Sequence, residues 1–425
     1  MKKFVILLIC TVVPLSFRGN EPDTLTLEDC LRMVSINSPV VRQKDISDQL
    51  LNNRLKNLGT KWYPSVGLNA QALYNSETVE FADLLEGVPA SIPSLPLDQY
   101  KVWAEINQQI YDGGMVKAMK EIEKAVYQAD EFQTESELLA LRLQVSQIYF
   151  SLLQTQNNSE IIGSSLKLLS TRKDIVSAAV RSGAILEENL LAMEAEEIVI
   201  LQKLSELRFL KSQLFRTLKI LTDSVIPENT LLSSPKIPDA DQNGMRPELK
   251  WFAQQKTKLQ INEKLIKAGD LPRLYAFSQL AWGRPGYNMV SRDFHTFYTL
   301  GAGLKWNFIN YGDSKRQKRI LELQRDLVDV KQNNFDDQLQ IQLQSELTNI
   351  EKYDSLMKLD EKILSLRQAI SVSGLSRLNN GVITSADYLD DMNAELLATL
   401  QLESHKILRK QAEYNYLMLQ GKLTY

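Results

Sequence analysis

Residues 297–324 read FYTLGAGLKWNFINYGDSKRQKRILELQ, and they combine two different periodicities. Apolar side chains occupy every second position from Tyr298 to Phe308, so they share one face of a strand, while glycine and polar residues occupy the other. The turn at Tyr311-Gly312-Asp313 ends the alternation, and no glycine or proline occurs from Asp313 to Ser373. The stretch therefore predicts a strand of membrane-crossing length that runs directly into a very long helix.

The same element occurs earlier in the chain. Apolar residues alternate from Tyr100 to Ile106, a break follows at residues 111–114, and residues 115–162 again lack glycine and proline. A shift of 200 residues places Tyr111 on Tyr311. This self-similarity predicts an internal duplication.

Two further alternating segments precede these two. The four predicted strands cover about residues 65–75, 100–110, 273–283 and 297–309. Four strands cannot close a barrel, and open sheet edges cannot face lipid, so we expect the chain to close its sheet with other copies of itself. The alternative at this point is a soluble β-sandwich with one solvated face.

The glycine- and proline-free segments predict unusually long helices. A helix over residues 313–373 would be roughly 90 Å long at about 1.5 Å per residue. Apolar residues recur at seven-residue spacing in this run and in the last helix, which is typical of coiled-coil packing. Asp354 and Glu361 occupy two positions of this apolar seam. Charged residues there favour helices that form the wall of a tube with one solvated face over a solid coiled-coil rod.

Composition and targeting signals narrow the class of protein. The formal net charge is −3 and no basic block is present, so the charge pattern gives no indication of a nucleic-acid partner. Residues 1–20 read as a signal peptide, with Lys2 and Lys3 before an uncharged segment. We divide the rest into a first repeat (21–222), a linker (223–245) and a second repeat (246–425). Cys30, the only cysteine after the signal, is expected to be a buried small apolar residue.

Enzyme chemistry lacks its usual residues. The two histidines, His295 and His405, have no partner at ligand spacing, and we expect both to be solvated surface groups rather than metal ligands. Gly301-Ala302-Gly303 lies inside a strand and not at a strand-to-helix turn, so it is not a dinucleotide loop. We therefore predict no catalytic residue, no metal site and no cofactor.

Several motifs, taken in order, resemble those of the TolC-like outer membrane efflux proteins. They are LTLEDCL at 25–31, Ser38-Pro39, Trp62-Tyr63-Pro64, YDGG at 111–114, GAI at 183–185, YGD at 311–313, GVITSADYLD at 381–390 and YNYL at 414–417. The resemblance covers essentially the whole chain after the signal. It implies a mixed α and β membrane protein: a homotrimeric β-barrel with four strands per chain, continued by a long α-helical coiled-coil tunnel in the periplasm of a Gram-negative bacterium.

The resemblance also implies functional residues. Asp387 and Asp390 match the positions of gate aspartates, although Thr384 and Asp387 also have the spacing of a capping box. Ile383 stands where an arginine can tie the gate shut, and Asn189 stands where the first tip can carry an aspartate. Predicted adaptor-docking tips comprise Gly183, Ala184, Ile185, Gly381, Val382 and Ile383.

The leading functional interpretation is a passive outer membrane exit duct of a tripartite efflux or type I secretion system. It would be coupled through a periplasmic adaptor protein to an inner-membrane transporter. One alternative is a soluble periplasmic coiled-coil adaptor, which would have no need of four lipid-facing ribbons. The other keeps the fold and narrows the cargo to metal ions, which the scarcity of histidine does not favour.

Overall fold

A computed structural model describes residues 24–79, 94–237, 244–288 and 291–423. The predicted signal peptide, residues 1–20, lies outside them. Within the described ranges the helices are α1 Leu27–Asn37, α2 Arg42–Gly59, α3 Met115–Arg181, α4 Glu187–Thr222, α5 Pro247–Gly269, α6 Asp313–Asn379 and α7 Ser385–Leu419. The strands are β1 Thr24–Leu25, β2 Ser65–Tyr74, β3 Asp98–Tyr111, β4 Leu231–Leu232, β5 Arg273–Arg284 and β6 His295–Lys305.

Four of the strands form one antiparallel sheet in the order β2-β3-β5-β6. Their register pairs Leu68 with Ala104 and Leu274 with Leu304, so the alternating apolar residues of all four strands share one face. This apolar face is uncovered: Leu68 is 78% exposed and Leu300 71% exposed. The predicted alternation is therefore confirmed, and the apolar face is the one that we expect to meet lipid.

The opposite face of the sheet is less purely polar than the alternation suggests. It carries Lys101, Glu105 and Gln279, but also four aromatic rings, those of Trp103, Tyr275, Phe277 and Phe297. Lys101 Nζ donates to Gln279 Oε1 at 3.1 Å and lies 4.8 Å from the centre of the Trp103 ring. We call this the polar-aromatic face.

The last strand is shorter than predicted. Pairing of β6 ends at Lys305, so Trp306 and Phe308 do not belong to the strand although they continue its alternation. Trp306 Nε1 donates to the Asp270 carbonyl at 3.0 Å, and Asn310 Nδ2 donates to Asp270 Oδ1 at 3.0 Å. The segment after β6 is thus held by the turn between α5 and β5 instead of by the sheet.

Each half of the sheet continues into a helix of the same length. α3 and α6 both have 67 residues, and each follows a glycine in the left-handed region, Gly114 at φ 87° and Gly312 at φ 76°. A residue with a Cβ rarely adopts this conformation, which explains the glycine at both junctions. Both helices run on through an internal glycine, Gly163 and Gly374, since one glycine costs only about 1 kcal/mol in a helix. The equal lengths and equal junctions confirm the duplication.

The helices pack in two pairs, α3 with α4 and α6 with α7, and α3 also contacts α5 and α7. A first apolar core joins the two repeats to the N-terminal helix. At its centre Tyr149 donates to the carbonyls of Leu25 (2.8 Å) and Ser233 (2.6 Å), and the rings of Phe150 and Tyr414 meet edge to face at 5.9 Å. Cys30 is fully buried in this core, as predicted, and burial raises the pKa of its thiol to about 12.

The predicted linker, residues 223–245, is not a loose spacer where the structure describes it. Its strand β4 pairs in parallel with β1, and Leu232 and Ile226 are buried in the first core. The N-terminus and the connection between the repeats therefore stabilise each other.

The prediction for His405 was wrong. This residue is buried between α6 and α7, with Nδ1 2.6 Å from Asp360 Oδ2 and Nε2 2.9 Å from Gln401 Nε2. Its partner lies on the neighbouring helix, 45 residues away, where a search for local ligand spacing does not find it. His295, on the sheet, is partly exposed.

Among the described residues, the helices lack any apolar segment of the length that crosses a bilayer.

Adjacent residues near the middle of β5 test which face meets lipid. Leu280 lies on the apolar face and is 56% exposed, whereas Gln279 lies on the polar-aromatic face opposite Glu105. Leu280→Arg should destabilise the inserted protein by about 2–4 kcal/mol, the cost of a cation at the bilayer midplane. Gln279→Arg is the matched control and should assemble normally. Denaturant titration of the membrane-inserted protein measures both; equal loss of stability would show that the two faces are assigned wrongly.

Candidate functional site at the helical tips

The two long helical pairs end in turns of the same geometry. After α3, Gly183 has φ 73°; its N–H donates to Val180 O at 2.9 Å, and the next N–H, of Ala184, donates to Ala179 O at 2.9 Å. This pattern is a Schellman motif, which satisfies the last carbonyls of a helix and needs a left-handed residue. An added Cβ at Gly183 would meet no atom within 4 Å, so the backbone angle alone requires the glycine.

The second tip repeats the motif at the end of α6. Gly381 has φ 71° and donates to Leu378 O at 3.0 Å, and Val382 N–H donates to Arg377 O at 2.9 Å. The predicted positions of both glycines at the tips are therefore supported by their geometry.

A cavity of about 680 Å³ lies between the two tips, and both apolar and polar side chains line it, Asn189 and Asp387 among the polar ones. Val382 is 69% exposed and Ile185 37% exposed, as expected for a surface that could bind a partner. Ile383 differs from the prediction, because it is half-buried and packs against the core of the tip. Leu186, which the sequence analysis did not single out, is 70% exposed and lines the cavity. An apolar residue directly after the predicted turn was the sequence signal that could have identified Leu186.

Asp387 caps the first turn of α7. Its Oδ2 accepts hydrogen bonds from Thr384 N at 3.0 Å and Thr384 Oγ1 at 2.8 Å, and its own N–H donates to Thr384 Oγ1 at 3.2 Å. The hydrogen bond from the Thr384 N–H, followed by that from its hydroxyl, holds the pKa of the Asp387 carboxyl below its ordinary value of 3.8. A lowered pKa means that the charged cap stabilises α7 above the ordinary aspartate range and is lost as pH falls through the lowered value.

Asp390 has a different environment from Asp387. It is exposed and lies one turn further along α7, so the two carboxylates share a side of the helix. The neighbouring Asp391 instead faces α6, where its Oδ2 accepts from Arg377 Nη2 at 3.1 Å. A Cβ on Gly374 would lie 2.7 Å from the same oxygen, so this glycine makes room for the Asp391 carboxylate.

A hydrogen bond joins the two tips. Asn189 Oδ1, at the start of α4, accepts from Ser385 N at 2.9 Å, and Ser385 is the first residue of α7. The first N–H groups of a helix have no partner inside the helix, so the Asn189 side chain caps α7 from the other pair. An amide oxygen can accept this bond without adding a negative charge beside Asp387. The Asn189 and Arg377 contacts were missed because their partners lie on other helices.

In the described part of the chain, no group of three or more His, Cys, Asp or Glu side chains has the arrangement of a metal site. The tip is thus built from apolar contacts, caps and carboxylates.

Comparison with known proteins gives one family match and several similar folds. Residues 31–190 match the family model described as outer membrane efflux protein. No sequence of a curated protein matches the chain.

Several solved structures share the fold at low sequence identity. The Campylobacter jejuni CmeC outer membrane channel is similar with a TM-score of 0.69 and 14% identity, over 99% of this chain and 94% of that chain. CusC, whose structures concern transmembrane channel formation, is similar with a TM-score of 0.70 and 14% identity, over 97% of each chain. The outer membrane protein VceC from Vibrio cholerae gives 0.68 and 12%, over 93% of this chain and 96% of that chain. The likeness extends over the sheet and the long helices alike.

The cap of α7 can be tested by removing one hydroxyl. Thr384→Ala deletes the N-cap side chain and should destabilise the first turn by about 1 kcal/mol. Hydrogen exchange of the amides at 385–388 should then accelerate about fivefold, and the pKa of Asp387 should rise toward its ordinary value.

Ser385→Ala is the control for that change. The buried Ser385 hydroxyl has no hydrogen-bond partner among the described residues, so its removal should leave exchange unchanged or slower. Equal acceleration in both variants would contradict the capping role of Thr384.

Proposed function

We propose that this chain is an outer membrane efflux protein, and that three copies of it form the exit duct of an efflux or secretion system. Residues 31–190 match the model of that family. A member of this family would lie in the outer membrane of a Gram-negative bacterium and act there as a passive conduit. The cargo passes through the duct and is not transformed by it.

The observation that carries the proposal is the four-stranded sheet with two open edges. β2 and β6 each pair on one side only, and the face that they share is exposed and apolar. Backbone groups at an open edge cannot remain unpaired in lipid, so β6 of one copy would pair with β2 of the next. Three copies would supply an even-numbered barrel of twelve strands, within the range of outer membrane barrels.

The long helices extend the proposed duct. At about 1.5 Å per residue, α3 and α6 each reach roughly 100 Å beyond the sheet. Exposed apolar residues along α6, among them Leu327, Val330 and Leu366, have no cover in the single chain and would pack against neighbouring copies. The proposal thus accounts for apolar surface on both the sheet and the helices.

We further propose that the tips bind a periplasmic adaptor coupled to an inner-membrane transporter. Ile185, Leu186 and Val382 form an exposed apolar rim around the tip cavity, and such a rim can receive the apolar face of a partner helix. The Schellman turns hold this rim at the far end of both pairs.

The gate is proposed to consist of Asp387 and Asp390. In a trimer the two residues would form two rings of three carboxylates around the pore. Like charges that approach each other repel, so a closed mouth would retain cations or take up protons. The capping contacts with Thr384 hold the Asp387 carboxylate in place. Asp390 has no such contact among the described residues, so its side chain is the better candidate for a carboxylate that faces the pore.

Docking is tested with paired charges on the rim. The double variant Ile185→Glu, Val382→Glu should abolish crosslinking to the adaptor and reduce export, because two carboxylates cannot be buried in an apolar interface without a large cost. Val225→Glu is the control, since Val225 is 84% exposed and lies far from the tips, after α4. Normal crosslinking of the double variant would place the docking surface elsewhere.

The gate is tested in planar bilayers with purified protein. Asp390→Ala should weaken cation selectivity and block by multivalent cations from the periplasmic side, and adding Asp387→Ala should weaken both further. Glu188→Ala removes an exposed carboxylate from the first tip and should change neither property. If selectivity and block persist in the Asp387→Ala, Asp390→Ala variant, these residues are ordinary surface charge.

A further inference from the structure

Two aromatic rings on the polar-aromatic face lie across glycines of the neighbouring strand. Phe277 of β5 is directly paired with Gly301 of β6, and Tyr275 is directly paired with Gly303. A Cβ added at Gly301 would lie 2.4 Å from Phe277 Cζ, and one added at Gly303 would lie 2.4 Å from Tyr275 Cζ. Each ring therefore occupies the space that any other side chain would take.

This geometry fixes the direction of the rings. A ring that covers the glycine of the adjacent strand lies parallel to the surface of the sheet. It does not project away from that surface. The two rings are neighbours, with centroids 6.2 Å apart and planes inclined by 36°. Covering a strand glycine with an aromatic ring across the pair also shields the exposed backbone and pins the register.

We infer that Gly301 and Gly303 set the width of the duct by allowing Phe277 and Tyr275 to lie flat against its wall. The inference rests on the proposed function, in which the polar-aromatic face lines the lumen. An alanine at either position would collide with the far end of a flexible side chain and not with backbone. Turning a ring about its side-chain torsions resolves that collision at low cost in stability, and the ring then points into the lumen. Three copies would project three such rings at one level and exclude bulky cargo.

A matched control exists on the same face. Gly67 of β2 is also a strand glycine on the polar-aromatic face, since its neighbours in the ladder are Glu105 and then Gln279. A Cβ there would meet only Asn69 Nδ2, at 3.8 Å, which is an ordinary contact. Gly67→Ala therefore adds the same methyl group without displacing a ring.

The lumen can be probed with a thiol placed beyond the rings. Lys305 is exposed at the end of β6, on the same face as Gly301 and Gly303, so Lys305→Cys reports on molecules that enter from outside and pass the rings. The native Cys30 gives no background because it is fully buried and its thiol pKa is raised to about 12.

Intact cells carrying the Lys305→Cys chain are treated with polyethylene glycol maleimides of graded size and with N-ethylmaleimide. Gly301→Ala should lose labelling by the largest reagent that labels the parent, while N-ethylmaleimide labelling stays unchanged. The double variant Phe277→Ala, Gly301→Ala should regain it, and Gly67→Ala should match the parent. Gly303→Ala, alone and with Tyr275→Ala, provides an independent second test if Gly301→Ala fails to assemble.

The outcomes separate the inference from the proposed function. Labelling of Gly301→Ala and Gly303→Ala by the large reagent at the parent's rate, in chains recovered as outer membrane trimers, would overturn the inference and leave the duct intact. Failure of the parent Lys305→Cys chain to react with any polyethylene glycol maleimide would instead contradict an open lumen on this face.

Discussion

The open edges of the four-stranded sheet constrain the rest of this molecule. β2 and β6 each present a row of backbone groups with no partner in the single chain, beside an apolar face that belongs in lipid. In hydrocarbon every such group must find a hydrogen bond, and only a closed sheet provides all of them. In the proposed duct, oligomerisation is therefore part of the folding of this sheet. The same neighbouring copies would cover the exposed apolar residues of α6.

The two halves of the chain repeat the same series of structural elements. Each half makes two strands, a glycine junction with positive φ, a 67-residue helix, a Schellman turn and a returning helix. The halves differ where their contacts differ. The first core gathers α1, β1 and β4 around Tyr149. The second tip carries the cap at Thr384 and the ion pair of Arg377 with Asp391. The first repeat therefore supplies most of the buried core around Tyr149, whereas the gate candidates Asp387 and Asp390 lie at the tip of the second repeat.

Local patterns in the sequence predicted those features whose causes are local. Period-two alternation identified the faces of the strands, and glycines identified the turns, because side-chain direction and positive φ depend on few neighbouring residues. Contacts between distant segments escaped prediction. Trp306 continues the strand pattern but bonds to Asp270; His405 looks solvated until Asp360 is brought beside it; Asn189 caps a helix that begins 196 residues later. Ile383, next to a turn, is half-buried because other helices pack around it.

Native mass spectrometry of the complex extracted from outer membranes in detergent measures how many copies of the chain close the sheet. Closure of β2 and β6 against other copies predicts a species of three chains and no free chain. The same chain recovered as a monomer from the soluble periplasmic fraction would contradict the account, because its apolar sheet face and open edges would then be stable in water without partners.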